Sequence, residues 1–343
     1  HMTLAPSQTD NVSRYVSEGT VTVEKLTGGD YVVDLGGEIV GGIRFTVTLP
    51  TATEIKVYYG EQLNSNGSVK YRMLTGNVYE ETWKLVAGEN IIETIDMLTY
   101  RYVQISGCPV EITPEMVRGL EIRAAFDDDA SSFDSDSELL NDIYELSKRT
   151  VKMTTQDLYV DSQSRERLAY EGDLVINLLA SYAFGDDYSI GRFSAEYLYT
   201  HRTWPIEYLL LTAVSAMDDY MATGDAASLE AYYSVLKNRT ATSYLNRNVG
   251  LLNTDSMSSV LIDWPKSERD GYDTSVAYNT VLNAVAVLSY EKFAEIAEIT
   301  GHGKDADEFA TLARTVRCAM IERLYDAEVG AFADGLKKDG TLS

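Results

Sequence analysis

Phe126-Asp127-Asp128-Asp129-Ala130-Ser131-Ser132-Phe133-Asp134-Ser135-Asp136-Ser137-Glu138-Leu139-Leu140 is the stretch at which the chain changes its hydrophobic period. Upstream, Ile43, Phe45, Val47 and Leu49 alternate with Arg44, Thr46 and Thr48, and Ile55, Val57 and Tyr59 repeat the pattern. Successive side chains of a strand face opposite ways, so the alternation predicts half-buried strands from Thr20 to about Phe126. Gly28-Gly29, Gly36-Gly37, Gly41-Gly42, Asn66-Gly67, Gly76-Asn77 and Gly88 are read as the turns of an antiparallel sandwich. Downstream, Ser135 with Glu138 three residues later predicts a capping box, and Leu139, Ile143, Leu146 and Thr150 recur at helical spacing.

From Glu138 on the pattern is helical, with helices expected at about 138–155, 171–184, 189–201, 206–222, 226–245, 274–300 and 304–324. Thr223-Gly224-Asp225 and Thr300-Gly301-His302-Gly303 are turn signals between them. Some of these helices are apolar on more than one stripe, as at Leu174, Val175, Leu178 and Leu179 or at Val281, Leu282, Val285, Val287 and Leu288, and so need neighbours on two sides. No repeat of fixed period is visible, which favours a closed toroid over a solenoid. The expected fold is multidomain α and β: an antiparallel β-sandwich over 1–126, an acidic linker over 127–137, and an incomplete (α/α)6 barrel over 138–343. A six-hairpin ring needs twelve helices and about seven can be placed, so the chain is expected to be truncated, with apolar helix faces left uncovered.

Lys and Arg number 29 against 53 Asp and Glu, a net charge of -24 that repels phosphate backbones and anionic lipid heads. Nucleic-acid and membrane partners are therefore not expected, and no apolar run approaches the ~18 residues of a membrane span. Much of the charge is read as a solvated, solubilising surface. Cys108 and Cys318, the two cysteines, are far apart and are read as buried free thiols. His1-Met2 resembles the scar of a cleaved tag, no signal-peptide pattern follows it, and the compartment is not readable. That leaves His201 and His302, too few for a His/Cys zinc cluster and in no nucleophile motif, so neither a metal site nor Ser-His-Asp catalysis is expected. No cofactor is called for; neither a need for calcium nor the oligomeric state can be read.

The densest group of ionisable residues is Asp161-Ser-Gln-Ser-Arg165-Glu166-Arg167-Leu-Ala-Tyr170-Glu171-Gly172-Asp173, between two predicted helices. Sugar hydrolysis needs a carboxylic acid to protonate the leaving oxygen and, in inverting enzymes, a second carboxylate roughly 6.5–9.5 Å away to activate water. Further carboxylates and an arginine can hold hydroxyls, and an aromatic ring can cover the sugar's apolar face. The stretch offers all of these residue types. Acids gathered at a helix N-terminus and paired with surface arginines would give the same composition, so spacing alone leaves both readings open.

The run DSQSRERLAYEGD resembles the motif of the family 78 α-L-rhamnosidases, in which an aspartate is followed at +4 and +5 by Arg-Glu, at +9 by an aromatic and at +12 by an aspartate. Asp161, Arg165, Glu166, Tyr170 and Asp173 match those positions. The resemblance implies that Glu166 is the general acid of an inverting glycosidase removing terminal α-L-rhamnose from glycosides or polysaccharides. It further implies that Asp161, Arg165 and Asp173 bind the sugar. Tyr31-Val-Val-Asp-Leu-Gly36, Tyr59-Gly-Glu61 and Tyr100-Arg-Tyr-Val-Gln-Ile-Ser-Gly107 resemble the family's sandwich signatures. Ser132-Phe133 through Leu140-Asn141 resembles its entry helix, and Asp263-Trp264 its pocket loop.

Two departures stand out: Ser162-Gln163 replaces the common Cys-Pro, and Tyr170 replaces the usual tryptophan, which loosens the inference to a particular sugar. Trp204 and Asp263-Trp264 lie in links between helices and are further candidate sugar contacts, whereas Trp83, within a strand, is read as core. The family's base lies in later helices, so no base is expected within this chain, and the chain alone is expected to bind sugar poorly and turn over almost nothing. Asp263, Glu268 and Asp270 are the substitutes should turnover be found. Alternatives are a non-catalytic carbohydrate-binding protein on the same scaffold, a toroid glycosidase for another sugar, and a polysaccharide lyase, which the acidic balance and scarce histidines disfavour.

Overall fold

The computed structural model describes Thr9, residues 11–262 and residues 265–343. These fall into two compact units that divide after Leu168. The sheet of the first unit is built from β1 (Ser13–Val16), β2 (Thr22–Lys25), β3 (Tyr31–Leu49), β4 (Thr53–Gly60), β5 (Glu80–Leu85), β6 (Gly88–Glu93), β7 (Leu98–Ser106) and β8 (Val117–Arg123). Every pairing among them is antiparallel.

The alternation predicted for 43–49 is realised residue by residue, with Ile43, Phe45, Val47 and Leu49 buried and the residues between them more open. Strand β3 runs for 19 residues and changes partners along its length. Its first part lies between β2 and β7, and its last part between β6 and β8. The sheet thereby turns back on itself into two layers. Phe45, from the last part of β3, meets Trp83 of β5 at 6.1 Å between ring centroids, and Tyr59 meets Tyr100 edge-on at 4.9 Å. Trp83 packs against the core as expected, with its indole N–H donating to Glu81 at 2.7 Å.

Two expected turns are corrected. Gly36-Gly37 and Gly41-Gly42 do not separate strands; they lie inside β3. The register between β3 and β7 shifts between Asp34 and Ile39, so the first pair marks a bulge. At Gly41 a Cβ would stand 2.0 Å from the Leu120 carbonyl oxygen; glycine is there to let β8 close in.

Helix α1 (Glu138–Thr154) belongs to the first compact unit and packs on β8 and β3. The acidic link before it is pinned by Lys148, whose buried ammonium donates to the carbonyls of Asp128 and Ser131. The expected capping box is absent. Ser137 is the N-cap and makes no side-chain cap bond, while the Ser135 hydroxyl and N–H instead engage Asn141.

The second unit holds α2 (Glu171–Phe184), α3 (Ser189–Thr200), α4 (Ile206–Thr223), α5 (Ala227–Ala231), α6 (Tyr233–Asn238), α7 (Thr280–Ile299) and α8 (Gly303–Arg323). Helices α7 and α8 form a hairpin, and α4 packs against both α2 and α7, an incomplete toroid of helix hairpins. Its core gathers Leu174 and Leu178, Leu210 and Ala213, Leu282 and Phe293, with Phe309 meeting Phe293 at 4.5 Å. Asp219 ties three helices together, accepting from Tyr182 at 2.6 Å and from Arg192 at 2.9 Å.

Two helix expectations are revised. The single helix over 226–245 is two short ones, after which Ala241 adopts left-handed backbone. The helix expected from 274 begins at Thr280, capped by the Asn279 side chain. The residues before it bond sideways: the carbonyls of Val276 and Ala277 accept from Thr254, and Tyr278 and Asn279 pair with Leu336 and Gly335. Both cysteines are free, but Cys108 is only half-buried and Cys318 is exposed, because it lies off the α8 stripe formed by Phe309, Leu312, Val316 and Met320. Among the described residues no helix is long and apolar enough to cross a membrane.

Candidate active site

In the first unit, the segment 161–168 is a loop closed on itself. The Asp161 N–H donates to the Leu168 carbonyl at 2.9 Å, and the Leu168 N–H returns to Asp161 Oδ1 at 3.0 Å. Asp161 Oδ2 accepts from the Ser162 hydroxyl at 2.9 Å, and its side chain is 9% exposed. This carboxylate therefore shapes the loop as well as belonging to the motif.

The loop is also anchored from outside. Gln163 donates to the Thr154 carbonyl at the end of α1 at 2.7 Å. Asn77 and the Tyr79 hydroxyl both reach the Ser164 carbonyl, and the Arg167 guanidinium bonds the carbonyls of Met97 and Gln163. Side chains on a loop held at so many points can be positioned as precisely as those on a helix or strand. At its crest Arg165 Nη2 stands 3.2 Å from Glu166 Oε1 and 3.9 Å from Asp161 Oδ2, with Arg165 and Glu166 side chains 43% and 39% exposed. Asp161, Arg165 and Glu166 are thus brought together as one cluster.

The three sandwich signatures also converge, forming adjacent strands. Tyr31 to Asp34 of β3 pair with Ile105 to Tyr102 of β7, which pair in turn with Val57 to Gly60 of β4. Arg101 grips Asp34 through two bonds of 2.8 Å, and this ion pair holds the Asp34 carboxyl below its ordinary range.

In the second unit Tyr170 is the N-cap residue of α2, and Asp173 lies in that helix's first turn. A Cβ at Gly172 would come within 2.5 Å of the Tyr208 ring, so the bare backbone there lets α4 approach α2. Trp204, between α3 and α4, is 53% exposed and available as a stacking surface. Asp263 and Trp264 lie outside the described residues. Glu268 falls in a short exposed 3-10 turn, Lys266–Arg269, and Asp270 follows it, also exposed. His201 and His302 sit at helix ends, stacked on Tyr197 and Tyr233.

Two carboxylates that sequence reading passed over are buried beside these links. Glu171, 1% exposed, accepts from both the N–H and the hydroxyl of Thr203, the residue before Trp204, and faces Arg239 Nη1 at 3.8 Å. Arg239, in turn, donates to the Tyr199 carbonyl at 2.7 Å; burial lowers its pKa, with Glu171 opposing. Glu207 accepts from the N–H groups of Leu261 and Ile262. Glu171 had a signal, a carboxylate in the densest charged run, but Thr203, Arg239 and Glu207 carried none.

Asp273, in the link that follows, is held down at about 2 by the Ser275 hydroxyl, then by the Ser343 hydroxyl and the Ser275 N–H. A carboxyl whose folded value lies below its ordinary 3.8 adds stability at neutral pH and forfeits it as pH falls through the range from 3.8 to about 2. Asp273→Asn should therefore flatten the acid limb of thermal stability between about pH 4 and pH 2. An unchanged slope in melting scans across that range would reject this.

Residues 128–343 match the family model of the bacterial alpha-L-rhamnosidase 6 hairpin glycosidase domain, and residues 24–123 that of the bacterial alpha-L-rhamnosidase concanavalin-like domain. An alpha-L-rhamnosidase of Formosa agariphila is 24% identical over 158 residues, 44% of this chain and 16% of that protein. Among solved structures, a GH78 family rhamnosidase of Bacillus sp. GL1 superimposes with a TM-score of 0.80 at 20% identity, covering 94% of this chain and 35% of that one. The Klebsiella oxytoca rhamnosidase with rhamnose bound gives 0.74 at 14% identity, covering 98% and 75%. The Streptomyces avermitilis alpha-L-rhamnosidase complexed with L-rhamnose gives 0.74 at 18%, covering 92% and 32%. The chain thus spans about a sixth of its curated relative and about a third of the Bacillus enzyme. With a sandwich ahead of helix hairpins and a family model matched over 128–343, the chain belongs to the bacterial α-L-rhamnosidase family.

Proposed function

We propose that the protein acts in the inverting hydrolysis of terminal α-L-rhamnosides, with Glu166 as the general acid. The observation that carries this reading is the anchored loop, which holds Asp161, Arg165 and Glu166 in one cluster at the motif's spacing. Asp161, Arg165 and Asp173 would take the sugar hydroxyls, while Tyr170 and Trp204, joined by Trp264, would cover its apolar face. Asp263 would add a further polar contact, as the pocket-loop resemblance implies. Rhamnose bound in the Klebsiella and Streptomyces relatives supports the choice of sugar.

Acid work requires a protonated Glu166 when the glycosidic bond breaks, so Arg165 must exchange that carboxyl for the hydroxyls of the arriving sugar. We assign no residue to the carboxylate that activates water.

Crystals soaked in L-rhamnose test the assignment by locating the ring. It should lie against Asp161, Arg165 and Asp173 with its anomeric carbon toward Glu166. A ring bound elsewhere, or one turned with that carbon away from Glu166, would overturn it.

A further inference from the structure

Trp204 is left 53% exposed in the link between α3 and α4, yet the backbone on either side of it is fixed. Pro205 after it is the N-cap of α4, with φ held at -81° by its ring. Thr203 before it donates twice to one carboxylate, its N–H to Glu171 Oε1 at 3.2 Å and its hydroxyl to Glu171 Oε2. Two donors of one residue on two oxygens remove the rotation that a single bond allows, and a β-branched side chain is already stiff at χ1.

The direction in which this carboxylate points separates two roles for it. An ion pair kept for stability alone would turn the carboxylate onto its guanidinium in two parallel hydrogen bonds. Glu171, 1% exposed, instead gives both oxygens to Thr203. Arg239 Nη1 stands 3.8 Å away, beyond hydrogen-bond reach, and has no hydrogen-bond partner among the described residues. A buried donor left unmatched is costly, and what the arrangement secures in return is the geometry of the link. Arg239 is itself held, because its Nη2 donates to the Tyr199 carbonyl near the end of α3 at 2.7 Å.

We propose that Glu171 is a positioning residue: through its two bonds to Thr203 it sets the direction in which the Trp204 indole leaves the link, with Arg239 as the buried countercharge behind it. That the indole meets sugar rests on the function proposed above; the hold on Thr203 does not.

The test uses protein labelled with fluorotryptophan, the resonances of Trp204 and Trp83 being assigned by replacing each with Phe. Thr203→Val removes the hydroxyl donor, keeps the size of the side chain and leaves the Glu171–Arg239 pair in place. The Trp204 resonance should shift or broaden there, while that of Trp83, packed on the sandwich core, stays put. Thr203→Ser keeps the hydroxyl and should hold the wild-type position. An unmoved Trp204 resonance in Thr203→Val overturns the proposal, as does an equal displacement in Thr203→Ser. A second arm replaces Glu171 and Arg239 together by methionine, which removes the clamp and the stranded charge at once. Trp204 should stay displaced in that variant although its melting temperature exceeds that of Glu171→Met alone. A resonance that returns to the wild-type position as the melting temperature recovers would mark the pair as a general stability device and overturn the proposal equally.

L-Rhamnose titration separates the two ideas. If the sugar perturbs wild-type Trp204, its affinity should weaken about tenfold in Thr203→Val. A wild-type protein in which rhamnose leaves Trp204 untouched counts against the sugar reading, while the label in the variants still decides the role of Glu171.

Discussion

On the acid role proposed for Glu166, Glu166→Gln should slow any measurable hydrolysis of alkyl rhamnosides by about a hundred- to ten-thousandfold, and that of activated aryl rhamnosides far less. The asymmetry follows from what an acid supplies. A poor leaving oxygen must be protonated as its bond to the anomeric carbon stretches, whereas a nitrophenolate departs with little help. The amide keeps the size of the side chain and its place on the loop but cannot deliver a proton. Equal slowing of both substrates would mean that the side chain orients or binds rather than protonates. Steady-state rates on a series of leaving groups of graded basicity make the measurement, and a steeper dependence on basicity in the variant is the expected signature.

The second large effect concerns stability. Glu171→Ala should destabilise the helical unit by about 3–5 kcal/mol, because it strands a charge rather than deleting a pair. Arg239 would remain with its side chain 11% exposed and lose its carboxylate partner, and its Nη1 already lacks a hydrogen-bond partner among the described residues. Thr203 would also lose the acceptor for both its N–H and its hydroxyl. Replacing Glu171 and Arg239 together by methionine should recover much of the loss, since both desolvation costs vanish with the pair. Thermal and urea unfolding followed by the helical signal measure both variants. A loss under about 1 kcal/mol in the single variant would place the pair with ordinary surface bridges.

How far the residues alone reveal the molecule depends on the range of the interactions involved. Period-two alternation is a local property, so β3 and β4 could be read directly from Ile43 to Leu49 and from Ile55 to Tyr59. Glycine is ambiguous at that range. Gly41-Gly42 looks like a turn, and only the approach of Leu120 in space makes it the interior of a strand. The same holds for 274–279, where helical spacing was overridden by bonds to Thr254 and to Gly335 and Leu336. The Asp161 to Asp173 motif was legible because its spacing is local. Its anchors, Asn77, Met97 and Thr154, were not, since nothing near them in sequence announces the loop they hold. Cys318 was misjudged because a thiol's usual preference for the interior says nothing about which side of a helix it occupies.

Strand β3 also sets an order of events during synthesis. Its last part needs β8, and the residue opposite Gly41 is Glu121, about eighty positions later. A nascent chain cannot complete this pairing until the ribosome has released residue 123, so Ile43 and Phe45 spend that interval without their β8 partners. A pause in translation before that point leaves a long apolar strand with a bare edge, the species most prone to pair with a neighbour and the one a nascent-chain chaperone would need to shield.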